Sequence, residues 1–149
     1  MAFKINISGK DGKTYYLEVE TEYFVDKSLG EKAEGKEFYP ALEGYEFKIT
    51  GASDKAGLPA LEEVEGIALK RVLLGYGKGM HMRPKGLSKK PNKKPAGLRL
   101  RKTIRGKTIS LAISQINLSV LKEGKTKLAE VFPEQNKKKE EKAEPAATA

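Results

Sequence analysis

Lysine and arginine are the residues of this sequence whose types and spacing point to a definite chemistry, the binding of phosphate groups. Fifteen of them lie between residues 66 and 122, and this stretch of 57 residues contains no Asp or Glu. Residues 1–65 carry a net charge of −6 and residues 123–149 a net charge of zero, so the overall charge of +9 hides +15 in the middle. Because self-repulsion on this scale destabilises a compact chain, we expect an anionic partner, and a phosphate backbone fits best.

Many of these basic residues fall in a segment without strand or helix periodicity, which we predict to be a long basic loop over residues 75–107. Three prolines keep this segment extended, and its glycines allow it to bend. A loop of this length is unusual in a free domain, so we expect it to become ordered on binding RNA. The predicted RNA-binding residues, in and around this loop, are Lys55, Lys70, Arg71, Lys78, Arg83, Lys85, Lys89, Lys90, Lys93, Lys94, Arg99, Arg101, Lys102, Arg105 and Lys107.

The pattern around the basic residues narrows the class of anion. Proline and glycine exclude the amphipathic helix that binding to a membrane surface requires. No recognition helix for the major groove of DNA is evident either. A β domain with basic loops suits structured RNA best. The sequence has no apolar run long enough to span a membrane and no signal-peptide core at its start, so we expect a soluble intracellular protein.

The residues that would support an enzyme, a cofactor or a metal site are missing. His81 is the only histidine, and there is no cysteine. A catalytic triad therefore has no local support, and a thiolate metal site cannot form. The glycines of 75–79 suggest a phosphate loop but lack its G-x-x-x-x-G-K-[ST] spacing. We predict no enzymatic activity, no cofactor and no small-molecule substrate.

The elements that must position the basic residues are mostly β-strands. Apolar and polar residues alternate over residues 3–8, 14–20 and 45–50, and Asp11-Gly12 predicts a hairpin turn between the first two. Residues 67–74 could form a central strand, and strand character returns at 108–113 and 117–122. Residues 61–65 fit either a helical turn or the entry to a strand, and any order within 26–44 must be short. We predict one small antiparallel β-barrel over residues 1–132 and a disordered polar tail over 133–149.

Several motifs resemble those of a known family. FKITGASDKAGLP at 47–59 is followed by RVLLGYGKGMHMRP at 71–84, then by RKTIRG at 101–106, NLSV at 117–120 and KEGK at 122–125. In this order they resemble the archaeal and eukaryotic family of small-subunit ribosomal protein six, over roughly residues 1–132. The chain departs from the family pattern at Ala52, where a second glycine is usual. It also lacks the serine-rich C-terminal helix of eukaryotic members, so it resembles the archaeal type.

The resemblance implies a β-barrel-type protein without enzymatic activity that packs its basic loops onto small-subunit rRNA in the cytoplasmic ribosome, beside neighbouring ribosomal proteins. A free RNA-binding regulator or assembly factor with the same fold is the alternative. The first motif also has a physical interpretation of its own. Asp54 can accept backbone hydrogen bonds in a turn whose exit is fixed by Gly57 and Pro59, and Lys55 beside it is placed to contact phosphate.

Overall fold

Strands dominate the computed structural model, which describes residues 2–81, 96–133 and 135. About 47% of the described residues lie in strands or isolated β-bridges, and the helical segments are single turns. The strands of the described residues are β1 (Ala2–Ser8), β2 (Thr14–Glu20), β3 (Lys32–Glu34), β4 (Glu46–Asp54), β5 (Leu69–Gly75), β6 (Arg99–Arg105) and β7 (Ile113–Lys122). The helical turns are α1 (Gly35–Phe38), a 3₁₀ turn (Pro40–Leu42) and α2 (Leu128–Val131). The predicted mostly β class is confirmed.

Five of the strands form one sheet in the order β2-β1-β7-β4-β3, which curls into a half-barrel. The predicted small antiparallel β-barrel differs from this sheet on two counts. The sheet does not close, and β1 pairs with β7 in parallel. A parallel pair needs a long connection, and more than 100 residues separate Ile5 from its partner Ile116. Alternation within a short segment predicts a strand but does not identify such a distant partner.

The main core lies on one face of this sheet, where alternate residues of each strand are buried. The hairpin of β1 and β2 turns at Gly12, whose φ of 78° is the conformation the Asp-Gly pair predicted. Phe24 and Phe38 cover the core from the connecting segments, with ring centroids 5.2 Å apart. The fully buried strand residues of this sheet are Phe3, Ile5, Ile7, Phe47, Ile49, Ile116 and Leu118. The strands predicted at 3–8, 14–20, 45–50 and 117–122 are therefore confirmed, with β4 and β7 longer than expected.

The remaining strands, β5 and β6, form a separate antiparallel ribbon. The strand predicted over 67–74 is confirmed as β5, but its predicted central position is wrong, since β5 lies in this two-stranded ribbon. The predicted loop over 75–107 is wrong in part, because it contains β6. In β6 only Leu100 and Ile104 are apolar, so the strand pattern is hidden among basic residues. Residues 82–95 of the predicted loop lie outside the described residues, as does most of the predicted tail.

The connections also differ from two sequence expectations. The strand predicted over 108–113 is wrong, since β7 begins only at Ile113. Ile109 instead exchanges backbone hydrogen bonds with the segment at Asp26 and Lys27, at 2.9 and 2.8 Å. Residues 61–65 form neither a helix nor a strand but a turn, in which the Val64 N–H donates to the Leu61 carbonyl.

Candidate nucleic-acid interface

The β5–β6 ribbon has two chemically different faces. Opposite residues of an antiparallel pair share a face, and the register places Arg71 opposite Thr103, Leu73 opposite Arg101 and Gly75 opposite Arg99. All three arginines are exposed. They lie on one face because positions two apart in a strand point the same way. We call this surface, made of Leu69, Arg71, Leu73, Arg99, Arg101 and Thr103, the outer ribbon face.

The opposite face of the ribbon packs on a second, smaller core. Ile104 is fully buried there, and Leu74 is nearly so. The other buried members are Leu61, Val64 and Met80. This core is needed because an isolated two-stranded hairpin is only marginally stable in water. It fixes which face of the ribbon, and therefore which arginines, point to solvent.

The outer ribbon face can bind phosphate without competition from its own acidic groups. Neither β5 nor β6 contains Asp or Glu. A guanidinium group presents a planar set of donors that matches phosphate oxygens and stacks on flat rings. Leu69 and Leu73, which are 46% and 47% exposed, give the same face an apolar component that can contact sugars or base edges. This combination suits an RNA surface better than a free phosphate ion.

A short extended segment joins the ribbon to the main sheet. The N–H of Ala60 donates to the carbonyl of Ala52 in β4 at 2.9 Å. On its other side the Arg105 N–H donates to the Pro59 carbonyl at 3.0 Å, and Leu61 N–H donates to the Arg105 carbonyl at 3.2 Å. The segment is thus hydrogen-bonded to both units. Ala52, the departure from the family pattern, is buried within β4 rather than in the turn.

Arg105 and Asp54 form the most enclosed ion pair among the described residues. The Asp54 carboxylate accepts from Nε and Nη2 of Arg105, both at 2.7 Å, and the two side chains are only 12% and 15% exposed. The third guanidinium nitrogen, Nη1, donates to the Ile67 carbonyl at 3.3 Å. Arg105 was predicted to bind RNA, but in this structure its donors hold the end of β6 against the end of β4. Sequence reasoning missed this partnership, because 51 positions separate the two residues.

The turn at Asp54 completes this anchor. Hydrogen bonds from Arg105 and from the backbone N–H groups of Lys55 and Ala56 hold the pKa of Asp54 below its usual value, although partial burial opposes the shift. Gly57 donates to the Asp54 carbonyl at 2.9 Å and has a φ of 78°, a conformation that favours glycine. The structural role that the motif suggested for Asp54 is therefore confirmed.

The lowered pKa of Asp54 predicts how the stability of the protein changes with pH. An acid whose pKa is lowered in the folded state stabilises it above the unfolded-state pKa, and this contribution is lost as pH falls through the folded-state pKa. We expect Asp54→Asn to lower the urea midpoint at pH 7 and the difference from wild type to shrink below about pH 4. Urea unfolding of both proteins at pH 7 and below about pH 4 measures this difference in midpoint, with Asp11→Asn as the exposed control. A difference that persists undiminished in acid would contradict the role of the Asp54 charge.

Three further predicted residues also make contacts within the protein. Lys107 donates to Glu65 at 3.0 Å, which lowers the pKa of that carboxyl. Lys70 donates to the Glu65 carbonyl oxygen at 2.9 Å. Lys78 donates to the Thr50 carbonyl at 2.8 Å and lies 3.6 Å from a Glu62 carboxylate oxygen. Lys70 and Lys78 remain exposed, so RNA could still exchange these contacts for phosphates.

Two predicted residues, Lys55 and Lys102, are exposed but do not belong to the outer ribbon face. Lys55 lies in the Asp54 turn, and Lys102 lies opposite Val72. The other predicted residues, Arg83, Lys85, Lys89, Lys90, Lys93 and Lys94, lie outside the described residues. The structure thus brings Arg71, Arg99 and Arg101 together on one surface. The signal for this grouping was present in the alternation of Arg99 and Arg101, but it was interpreted as a loop.

The sequence offered two other candidate sites, the glycine-rich segment 75–79 and His81, and neither forms a catalytic or phosphate-binding site within the described residues. Met80, fully buried, exchanges two backbone hydrogen bonds with Gly77, so the glycine-rich segment forms a tight turn over the small core. His81 is exposed and meets the Tyr76 ring edge-on, with centroids 5.8 Å apart. Across residues 2–81, 96–133 and 135, no cluster of His, Asp or Glu could hold a metal ion. In the same residues, no helix has the length and apolar character to cross a membrane.

Comparison with known proteins agrees with the motifs. The family model for Ribosomal protein S6e matches residues 3–133. The small ribosomal subunit protein eS6 of Methanosphaera stadtmanae is 40% identical over 95% of this chain and all of its own length. The proteins of the same name from Methanococcus maripaludis and Archaeoglobus fulgidus are 39% and 37% identical, over 86% and 95% of this chain and 94% and 100% of their own lengths. The chain therefore belongs to the Ribosomal protein S6e family and is of the archaeal type.

Proposed function

We propose that this protein is a structural constituent of the small ribosomal subunit in the cytoplasm, where it acts in translation by binding rRNA through the outer ribbon face. Its family is one of structural proteins rather than enzymes. The observation that carries the RNA-binding part is the grouping of Arg71, Arg99 and Arg101 on one exposed face without an acidic residue. Lys102, on the opposite face of β6, and Lys55, in the Asp54 turn, are further exposed cations included in this proposal, and the basic residues predicted between 83 and 94 are predicted contacts that lie outside the described residues.

The mechanism we propose is neutralisation of charge. The segment between residues 66 and 122 has 15 positive charges and no negative ones, so the charge that balances it must come from a partner. Each phosphate contact releases counterions, which makes binding depend strongly on salt. Arg105 has a different task in this proposal. Its ion pair with Asp54 holds the ribbon in a fixed orientation, so that the arginines of the outer face meet the RNA together.

We also propose that residues 1–132 form the folded domain and that 133–149 are a separate tail. Phe132 supports this boundary, since it is buried and stacks on Tyr15 with ring centroids 5.7 Å apart. The acidic part of the chain, residues 1–65 with a net charge of −6, would in this proposal face solvent or a basic neighbouring ribosomal protein.

Sedimentation of a cell lysate through a sucrose gradient tests the proposed function against the alternative, a free regulator or assembly factor. We expect the protein in stoichiometric amount with small subunits, and we expect it to stay there through a wash at about 0.5 M salt, because many simultaneous contacts dissociate slowly. A peripheral, salt-extractable ribosome-associated protein followed in the same gradient controls the wash. Protein found mainly in the free fractions, or on immature particles alone, would favour the alternative.

A further inference from the structure

The β2 edge of the main sheet, which pairs with no further strand among the described residues, is a second surface that the proposed RNA interface does not use. Strand β2 lies at this edge, with β1 on its other side. The Gly9 N–H donates to the Lys13 carbonyl at 2.9 Å, which fixes the alternation of hydrogen-bonded and non-bonded pairs along the hairpin. By this alternation Tyr16, Glu18 and Glu20 direct their backbone N–H and C=O groups away from the sheet. An edge of this kind can accept an additional strand.

One side chain already occupies this edge as a strand would. The carboxamide of Gln135 accepts from the Tyr16 N–H and donates to the Tyr16 carbonyl, both at 2.7 Å. A side-chain amide carries the same donor and acceptor as a peptide group, so it reproduces one step of a β-ladder. The segment that leads to Gln135 is held by Phe132, which stacks between Tyr15 and Tyr39. The edge therefore has the geometry to bind a backbone, and one of its positions is taken by a single replaceable side chain.

The side chains of β2 indicate what sequence would pair with it. Glu18 and Glu20 are exposed on the outer face of the sheet. There Glu18 accepts from the Tyr16 hydroxyl and lies 3.8 Å from the Lys4 ammonium, a cation that already shows the preference of this position for positive charge. On the other face, Leu17 and Val19 are only half-buried at the rim of the main core. Residues opposite each other on neighbouring strands share a face and interact best when their charges are opposite. A complementary strand would alternate basic residues with apolar ones.

We propose that the outer edge of β2 is a docking site for an extended protein segment with alternating basic and apolar residues, which displaces Gln135 and adds to the sheet as a sixth strand. Backbone hydrogen bonds would supply affinity in this mode, and the alternating side chains would supply specificity. The proposal rests on the proposed function for the source of the segment, a basic protein neighbour in the subunit. The surface itself lies apart from the outer ribbon face, so either site can fail without the other.

A ten-residue peptide of alternating lysine and valine, with a fluorescent label, provides the probe for binding to the full chain by anisotropy. The control peptide has the same residues with the lysines and valines in two blocks, so its charge is equal and its alternation is lost. Gln135→Ala should tighten binding of the alternating peptide about fivefold, because two backbone groups of Tyr16 become available. Glu18→Pro should weaken it by about fivefold or more, since it removes one outward N–H at an edge where proline is tolerated. Glu18→Gln, which removes the same carboxylate but keeps the outward N–H, is the control for the lost negative charge.

Three outcomes would overturn the proposal. One is equal binding of the alternating peptide to wild type, Gln135→Ala and Glu18→Pro. Another is equal binding of the two peptides, which would mean attraction of charge alone. The third is self-association of Gln135→Ala in sedimentation without peptide binding, which would identify a second copy as the occupant. Affinity for small-subunit rRNA is measured on the same variants and should not change, so a failure of the RNA interface is recognised separately. Circular dichroism confirms that Glu18→Pro is folded.

Discussion

Replacing Arg71, Arg99 and Arg101 together with glutamine should weaken binding of the full chain to small-subunit rRNA about 100-fold at moderate salt, since a hydrogen bond to a charged group contributes about 1.5–3 kcal/mol and such contributions are not fully additive. The three side chains lie on one exposed face and point away from the small core, so the fold should be unaffected. The dependence of log K on log salt should also become less steep by about 2 to 3, as expected for three lost phosphate contacts. Filter binding over a range of salt concentrations measures both quantities.

A matched variant separates the effect of position from the effect of charge. Lys10, Lys13 and Lys36 are exposed and lie outside the ribbon, so replacing all three with glutamine removes the same charge. We expect this control to reduce affinity by a factor of about 2 to 3, through the weaker field of the whole protein alone. If the two triple variants lose affinity equally, RNA binding depends on net charge and the outer ribbon face has no special role.

Ile104→Ala should destabilise the ribbon more than any other single change in it. Ile104 is fully buried in a core that has five buried side chains among the described residues, and its truncation should cost about 3 kcal/mol through lost burial and the cavity left behind. Because a two-stranded ribbon has little stability of its own, we expect it to open locally while the main sheet stays folded. Hydrogen exchange should show faster exchange of amides in β5 and β6 and nearly unchanged protection in β1, β4 and β7.

Leu118→Ala is the control for this prediction, because Leu118 is equally buried but lies in the main core. Its loss should lower the global stability and raise exchange in every strand. The two-core description would be wrong if Ile104→Ala gave the same uniform increase. The thermal midpoint alone does not distinguish the two variants, so the exchange pattern is the informative measurement.

The sequence predicted those parts of the fold that depend on neighbours along the chain. Alternation gave β1, β2 and β4, and the Asp11-Gly12 pair gave the hairpin between the first two. It could not predict the parallel pairing of β1 with β7, because that depends on where a distant strand fits the curled sheet. Strand β6 was missed for a different reason. Its apolar positions, Leu100 and Ile104, are too few among basic residues to produce a visible period.

The sequence predicted the chemistry of the candidate interface, but it predicted only part of the set of residues that form it. A count of charges identifies a basic segment, and it treats every arginine in that segment alike. The structure distinguishes Arg101, which points to solvent opposite Leu73, from Arg105, whose donors are taken by Asp54 and Ile67. Arg101 and Arg105 lie on the same face of β6, so the distinction depends on a carboxylate 51 positions away from Arg105. Local composition does not encode that partner.

The central claim is that the outer ribbon face lies against rRNA in the assembled small subunit, and photo-crosslinking tests it most directly. A photoreactive benzophenone amino acid placed at Leu73, between Arg71 and Arg101, reports on the outer ribbon face. The same group at Leu121 is the matched control, since these leucines are 47% and 41% exposed and Leu121 lies near the far end of β7, away from Asp54. In purified subunits we expect a crosslink to rRNA from position 73 and little or none from position 121. Crosslinks to RNA from position 121 alone would contradict the account.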